Sequence, residues 1–241
     1  MDAGTAEPSP QHGCAVNVEQ GDPVTVESVS SNVEIGGLSF SYDDRVLTPR
    51  PWTQAQSEWA RDLLDEVPEG PVLELCSGAG HIGLLALLGN ERSLVMVDFS
   101  EAACTFARAN ASAAGLLGRV EIRQGRLEDE VRPGESFPLV IADPPWVPSS
   151  EVGRFPADPV TAIDGGADGL GPTRSCLQVI DPHLGPAGCA VIQVGGPAHV
   201  EGISEWLQSR PSVRLTVSET RGFGDRGALV LLRRRTEERT C

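Results

Sequence analysis

Three short clusters in this 241-residue chain carry groups that could do chemistry together. The first is Glu74-Leu75-Cys76-Ser77-Gly78-Ala79-Gly80, which continues through His81 and Ile82 to Gly83. Gly78, Gly80 and Gly83 spell G-x-G-x-x-G, and glycines at that spacing let the backbone close on a ligand. The second is Asp98, 20 residues beyond Gly78, where a carboxylate at the end of the following strand meets the hydroxyls of a ribose. Together they indicate an adenosine-containing cofactor. The glycine spacing is compatible with a dinucleotide, whose pyrophosphate would rest on the helix N-terminus. Glu74 opposes a phosphate and suits an ammonium or sulfonium group instead. S-adenosylmethionine carries both of those groups, and the loop by itself leaves the two cofactors open.

The third cluster, Asp143-Pro144-Pro145-Trp146, follows the apolar run Leu139–Ala142 and decides between them. Two prolines fix the backbone and remove two amide donors, so the loop presents carbonyl oxygens. Asp143 adds an acceptor and Trp146 a flat apolar wall. Such a set grips the hydrogens of a planar –NH2 group and aims its nitrogen at an electrophile, which selects S-adenosylmethionine. An amide or aromatic amine is a poor nucleophile because its lone pair is delocalised. Hydrogen bonds from its –NH2 to Asp143 and the proline carbonyls would return density to nitrogen, and orientation would supply the rest. No separate general base is required, since the proton can leave after attack.

These groups need strands to position them. Val72–Leu75, Leu94–Val97, Val120–Ile122, Leu139–Ala142 and Ala190–Val194 read as strands. They alternate with helical patterns over Ile82–Leu88, Ala102–Leu117, Leu177–Leu184 and Ile203–Leu207. Alternation of this kind implies an α/β fold, a doubly wound, mostly parallel Rossmann-like sheet covered on both faces. Val213–Val217 and Ala228–Leu232 complete seven strands; Ser218–Gly227 is too short for a crossover helix, so this pair should close the sheet as an antiparallel hairpin. A fourth strand laid beside the glycine-loop strand brings Asp143 to the same cleft. Residues 35–70 precede this core: Leu38, Phe40 and Tyr42 alternate as a hairpin arm. Thr53 with Gln56 forms a capping-box start for a helix carrying Ala55, Trp59, Leu63, Leu64 and Val67.

Composition narrows the partners. The net charge is −15, and all 19 basic residues are arginine. That balance disfavours, without excluding, a nucleic-acid partner. Residues 1–34 hold six acidic residues and no basic or aromatic one, which reads as a disordered acidic leader, with a valine-rich strand as the minor reading; 35–241 is the catalytic domain. No apolar run is long enough to span a membrane, and no secretory signal opens the chain. The six cysteines, 14, 76, 104, 176, 189 and 241, form no close pair in sequence and read as reduced thiols of a cytoplasmic protein. His12, His183 and His199 have no ligand spacing, so no metal is expected. His81 should face solvent at its helix start, and Arg233-Arg234-Arg235 should be a solvated tail.

On these motifs the chain is similar to class I S-adenosylmethionine-dependent methyltransferases. More narrowly, it resembles the HemK-type protein-glutamine methyltransferases, which modify a glutamine side-chain amide in peptide release factors. The resemblance spans roughly 35–232 and rests on Arg45–Thr53, Glu74–Gly80, Asp98, Asp143–Trp146 and Asp164–Leu170. It implies that Cys76, Ser77, Gly78, Ala79 and Gly80 wrap the methionine moiety and Asp98 holds the ribose. It also implies that Arg126 and Leu127 lie beside the adenine and that Asp143, Pro144, Pro145 and Trp146 hold the acceptor. That family usually has Asn-Pro-Pro-Tyr where this chain has Asp-Pro-Pro-Trp, and an acidic residue where Trp52 stands. The leading expectation is methyl transfer to an amide or amino nitrogen of a protein glutamine or a small molecule. Asp-Pro-Pro followed by an aromatic is also seen in many methyltransferases of adenine amines; that alternative requires Arg50, Arg154 and Arg174 to converge on the cleft. The third alternative is a non-catalytic Rossmann-like nucleotide-binding module.

Overall fold

The computed structural model describes residues 30–235. A small antiparallel ribbon comes first, β1 (Ser31–Ile35) and β2 (Leu38–Tyr42), turning through Gly36 and Gly37 at φ of 57° and 84°. The ribbon is fastened to the body by Asn110. Its Nδ2 donates to Ser41 O (3.1 Å) and Ala79 O (2.9 Å), while its Oδ1 accepts from Ser41 N (2.8 Å). Ser31–Glu34, expected to end the acidic leader, are therefore strand residues, because ladder pairing with β2 offsets a composition that could not order them alone. The leader's other residues, 1–29, and the valines within them lie outside the described residues.

The main domain runs α1 (Gln54–Leu63), β3 (Val72–Leu75), α2 (His81–Ala86), β4 (Leu94–Asp98), α3 (Glu101–Ala113), β5 (Val120–Gln124) and α4 (Leu127–Glu130). It continues with β6 (Phe137–Ala142), α5 (Val160–Ile163), α6 (Gly171–His183), β7 (Leu184–Val194), α7 (Pro197–Gln208), β8 (Leu215–Gly222) and β9 (Ala228–Arg234). The seven-stranded sheet has the order β5-β4-β3-β6-β7-β9-β8, parallel from β5 to β7, with β9 antiparallel to both β7 and β8. The expected closing hairpin is present, with β9 inserted between β7 and β8.

The apolar runs of the central strands pack two ways at once. Val72, Leu94, Met96, Leu139, Ile141 and Val191 meet α1, α2 and α3, through Trp59, Leu63, Leu85, Ala107 and Ala111. Their alternates Leu73, Leu75, Val95, Val97, Val140, Ala190 and Ile192 meet α6 and α7, through Leu177, Ile180, Ile203 and Trp206. A strand buried on both faces needs apolar residues at every position, which is what makes the run continuous. Each fully buried leucine here contributes about 1.5–3 kcal/mol by leaving water.

Two local expectations change. Thr53 and Gln56 form no capping box: Thr53 is itself helical (φ −71°, ψ −9°) and its hydroxyl donates to Arg50 O. Gln56 is fully buried, and its Nε2 donates to Ala142 O (2.9 Å) and Val191 O (3.1 Å), locking the ends of β6 and β7 together. The helix expected at Leu177–Leu184 starts six residues earlier, at Gly171 with Pro172 in its first turn, and hands over directly to β7 at Leu184.

Candidate functional site

The glycine loop leaves the carboxyl end of β3, and three of its residues, Cys76, Gly78 and Gly80, take positive φ (57°, 53° and 81°). For the non-glycine Cys76 this conformation costs about 1–2 kcal/mol, so the surroundings must hold it. Two carboxylates supply the hold. Asp98 Oδ2 accepts from Gly78 N (2.8 Å) and its Oδ1 from Ser100 N (2.9 Å), so the carboxylate expected at the ribose also anchors the loop's backbone. Glu74 Oε1 accepts from Gly83 N (3.0 Å). A Cβ on Gly83 would collide with Glu74 Oε2, so the third glycine of the motif makes room for a carboxylate rather than a phosphate. Glu74 is 2% exposed and lies behind the loop instead of on the cavity wall where a cofactor cation could meet it directly. Its Oε2 has no hydrogen-bond partner, and burial pushes its carboxyl up to about 8 against the lowering effect of the Gly83 amide.

Two chambers open above the carboxyl ends of β3 and β6. The first, with about 740 Å³ of empty space, is walled by Cys76–Ala79, Asp98, Phe99, Ser100 and Ala103, and roofed by Arg45–Thr48. The second, about 1100 Å³, is walled by Trp52, Pro144–Val147, Phe155 and Gln193. Leu47, Arg50, Thr53, Asp143, Pro145 and Ala162 line both, so the chambers adjoin and Asp143 stands at their junction. No described residue hydrogen-bonds the Asp143 side chain, and burial raises its carboxyl to about 7.

The Asp143–Trp146 turn is braced from behind. Val147 N donates to Ile163 O (2.9 Å), Gly165 N to Val147 O (2.7 Å) and Gly171 N to Gly165 O (2.9 Å), stitching the Asp164–Leu170 segment under the turn. Asp164 Oδ1 accepts from Ser149 Oγ and Gly166 N, and Asp168 pairs with Arg174. A Cβ on Gly195 would sit 2.5 Å from Trp146 Cε3, and the Trp146 and His199 rings meet edge-on with centroids 6.4 Å apart. The Asp164–Leu170 segment thus braces the backbone of the turn without lining either chamber, while Gly195 and His199 pack on the indole.

The remaining candidates fall elsewhere. Arg126 and Leu127 line neither chamber; Arg126 is exposed and pairs with Glu128 and Asp129 at the start of α4. His81 does not face solvent. It is 9% exposed, edge-on to Phe40, and 2.8 Å from Thr53 Oγ1 through Nε2. The Thr53 hydroxyl proton goes to Arg50 O, so Nε2 carries the hydrogen of that bond, and Nδ1 is left without a partner. Burial lowers the imidazole to about 4, so it stays neutral. Arg50 pairs with Asp158 (2.6 Å), Arg154 with Glu151 and Arg174 with Asp168; of the three, only Arg50 reaches a chamber. The convergence required by an adenine-methylating reading is absent among the described residues. Arg234 and Arg235, expected in a solvated tail, hydrogen-bond carbonyls of Asp181 and of Leu207 and Leu215. Cys76 and Cys176, 100 residues apart, bring their thiols to 3.9 Å. Sequence reading missed Gln193, Phe155 and Asp158 as wall residues, because none belongs to a recognisable motif.

Residues 72–155 match the family model described as "Methyltransferase domain". Among curated relatives, the release factor glutamine methyltransferase of Clostridium acetobutylicum is 28% identical over 177 residues, covering 70% of this chain and 62% of that one. The ribosomal protein uL3 glutamine methyltransferase of Bordetella pertussis is 32% identical over 169 residues, covering 66% and 55%. The chain therefore spans about three-fifths of the length of the curated relatives it matches. Among solved structures, the ribosomal protein L11 methylase from Lactobacillus delbrueckii subsp. bulgaricus superposes with TM-score 0.57 at 16% identity, over 81% of this chain and 84% of that one. The hMettl16 catalytic domain, solved with a 3′UTR hairpin, gives 0.63 at 14% identity, over 83% and 76%; both share the fold. No helix among the described residues is long and apolar enough to cross a membrane.

Proposed function

For a chain that carries a methyltransferase domain on a Rossmann-like fold, we propose S-adenosylmethionine-dependent methylation of the side-chain amide nitrogen of a protein glutamine. The observation that carries this reading is the pair of adjoining chambers with Asp143 at their junction. The lining of the first chamber fits the cofactor: Asp98 offers a diol acceptor, and the loop backbone is open to close approach. When bound, S-adenosylmethionine supplies a methyl group made electrophilic by its sulfonium. Cys76–Ala79 and Asp98 would hold it; Gly80 lies off the chamber wall, turned toward Met96 and Ala107, and Arg126 and Leu127 would reach an adenine only from outside the wall.

The chain's own residues then act on the acceptor. Trp146 and Pro145 confine a planar amide, and Asp143 and the proline carbonyls accept its N–H hydrogens. An acceptor nitrogen that gains the methyl group would become acidic. A carboxyl poised at about 7 can take that proton, since its affinity matches the working pH. The curated relatives named as glutamine methyltransferases support the same acceptor. A second reading, the exocyclic amine of adenine, draws on the aromatic walls Trp52, Trp146 and Phe155, which could stack a base. Tritiated methyl transfer separates the two: a glutamine peptide should be labelled and an adenine-containing oligonucleotide should not. Labelling of the oligonucleotide alone would overturn the proposal.

A further inference from the structure

Gln193 is the residue of the second chamber whose chemistry is still unused. Ala142, the last residue of β6, pairs in register with Ile192 of β7, so Asp143 leaves the sheet where Gln193 continues the neighbouring strand, and both line the second chamber. Ile192 turns to the α6–α7 face, so alternation turns Gln193 to the α1 face, where it lines the chamber. The residue is 6% exposed, sits between Ile192 and the fully buried Val194, and no described residue hydrogen-bonds its side chain. Gln56 makes the contrast. It too is a buried glutamine beside these strands, but it lines neither chamber: its Nε2 is spent on two backbone carbonyls and its Oε1 is enclosed without a partner. Gln193 is not among the side chains whose polar atoms are fully enclosed without a partner, so its amide opens to the chamber, where a polar group arriving with the substrate can pair with it.

We infer that Gln193 is a specificity-determining residue that reads the carbonyl oxygen of the acceptor amide while Asp143 takes its –NH2. The inference rests on the glutamine reading above. A carboxylate is an acceptor only, whereas a glutamine side chain also offers N–H donors. Asp143 and Gln193 together therefore present acceptor and donor in one chamber, the complement of a carboxamide. A lysine amine offers no acceptor and would leave the Gln193 amide unpaired, the situation that gives polar sites their strongest discrimination.

The test compares wild type with Gln193→Leu and Gln193→Glu on a glutamine peptide, with the same peptide carrying methionine at that position as competitive inhibitor. Wild type should prefer glutamine over methionine at least tenfold, and Gln193→Leu should lose that preference. KM should rise about tenfold or more, with kcat changing less than KM and S-adenosylmethionine affinity by titration calorimetry staying within twofold. Gln193→Glu, which keeps the size but presents a second acceptor to the carbonyl, should raise KM at least as far. Wild-type labelling of the peptide with an unaltered glutamine preference in Gln193→Leu would overturn the role of Gln193 alone. Wild-type labelling of an adenine oligonucleotide instead would overturn the glutamine reading and, with it, the carboxamide contact.

Discussion

The two chambers meet at one carboxylate but are built on opposite principles. On the glycine-loop side carboxylates hold the backbone: Asp98 and Glu74 each accept an amide of the motif, and the backbone is already in its unusual left-handed conformations, although Glu74 Oε2 and Ser77 Oγ have no partner among the described residues. On the Asp-Pro-Pro-Trp side two polar side chains that face the chamber, Asp143 and Gln193, have no hydrogen-bond partner among the described residues, while Arg50 and Asp158 on the same wall pair with each other and the bracing hydrogen bonds lie behind it. The lesson is that the first chamber is organised before any ligand arrives. The second keeps its hydrogen-bonding capacity in reserve for one.

The largest effect should come from breaking the shared wall. Asp143→Ala should lower turnover about 10²–10³-fold, the usual loss for one aligned group at a reacting centre, with cofactor binding much less affected. Asp143→Asn sharpens the point: its Oδ1 still accepts from the amide, so activity should survive. The wild-type rise in rate as the carboxyl ionises through a pH of about 7 should flatten in this variant. Rate against pH for the two enzymes checks both statements.

Glycine substitutions should separate the two sides next. Gly83→Ala drives a methyl into Glu74 Oε2, and overpacking of this sort costs about 1–3 kcal/mol. Thermal stability and S-adenosylmethionine affinity should fall together. Gly195→Ala presses on Trp146 instead, so the acceptor KM should rise about tenfold while cofactor affinity holds. A variant that moved both parameters equally would dissolve the distinction between the chambers.

A smaller effect is written in the pH dependence of stability. Burial raises Glu74 to about 8 and Asp143 to about 7, whereas both ionise near 4 in an unfolded chain. Between those values the native state holds protons that the unfolded state has lost, so stability falls as pH rises from about 4 to about 8. The melting temperature of the ligand-free protein should drop by several degrees from pH 5 to pH 8, and Glu74→Gln should remove much of the slope. The smallest change is expected at the rim. Trp52 is 40% exposed with Arg50 and Arg226 over its ring, so Trp52→Ala should weaken acceptor binding only a few-fold and leave the cofactor untouched.

Much of this arrangement was readable before any coordinates. The run Val72–Leu75, the glycine spacing and Asp98 are local patterns whose meaning depends on neighbours in the chain, and all three stand together at the first chamber. Asp143 was legible because a fourth strand in a doubly wound sheet has few places to go, and β6 does lie beside β3. Thr53 misled because its hydroxyl had two competitors for the cap, Arg50 O and His81, that helix-start rules do not include. His81 misled for the same reason in reverse: a helix start faces solvent only if nothing packs on it, and Phe40 does.

Sequence alone indicated the strands and the glycine, Asp98 and Asp143 motifs they carry, because turn stereochemistry, strand alternation and charge type act within a few residues. Only the tertiary structure decided what each polar group would meet. Gln56 and Val191 are 135 residues apart, yet their hydrogen bond ties the Gln56 amide nitrogen to the sheet, whereas Gln193, on the same strand as Val191, faces the chamber. Register between distant strands fixes such pairings, and since neighbouring positions on a strand point to opposite faces, it is the assembled sheet that separates a buried spectator from a residue held ready for substrate.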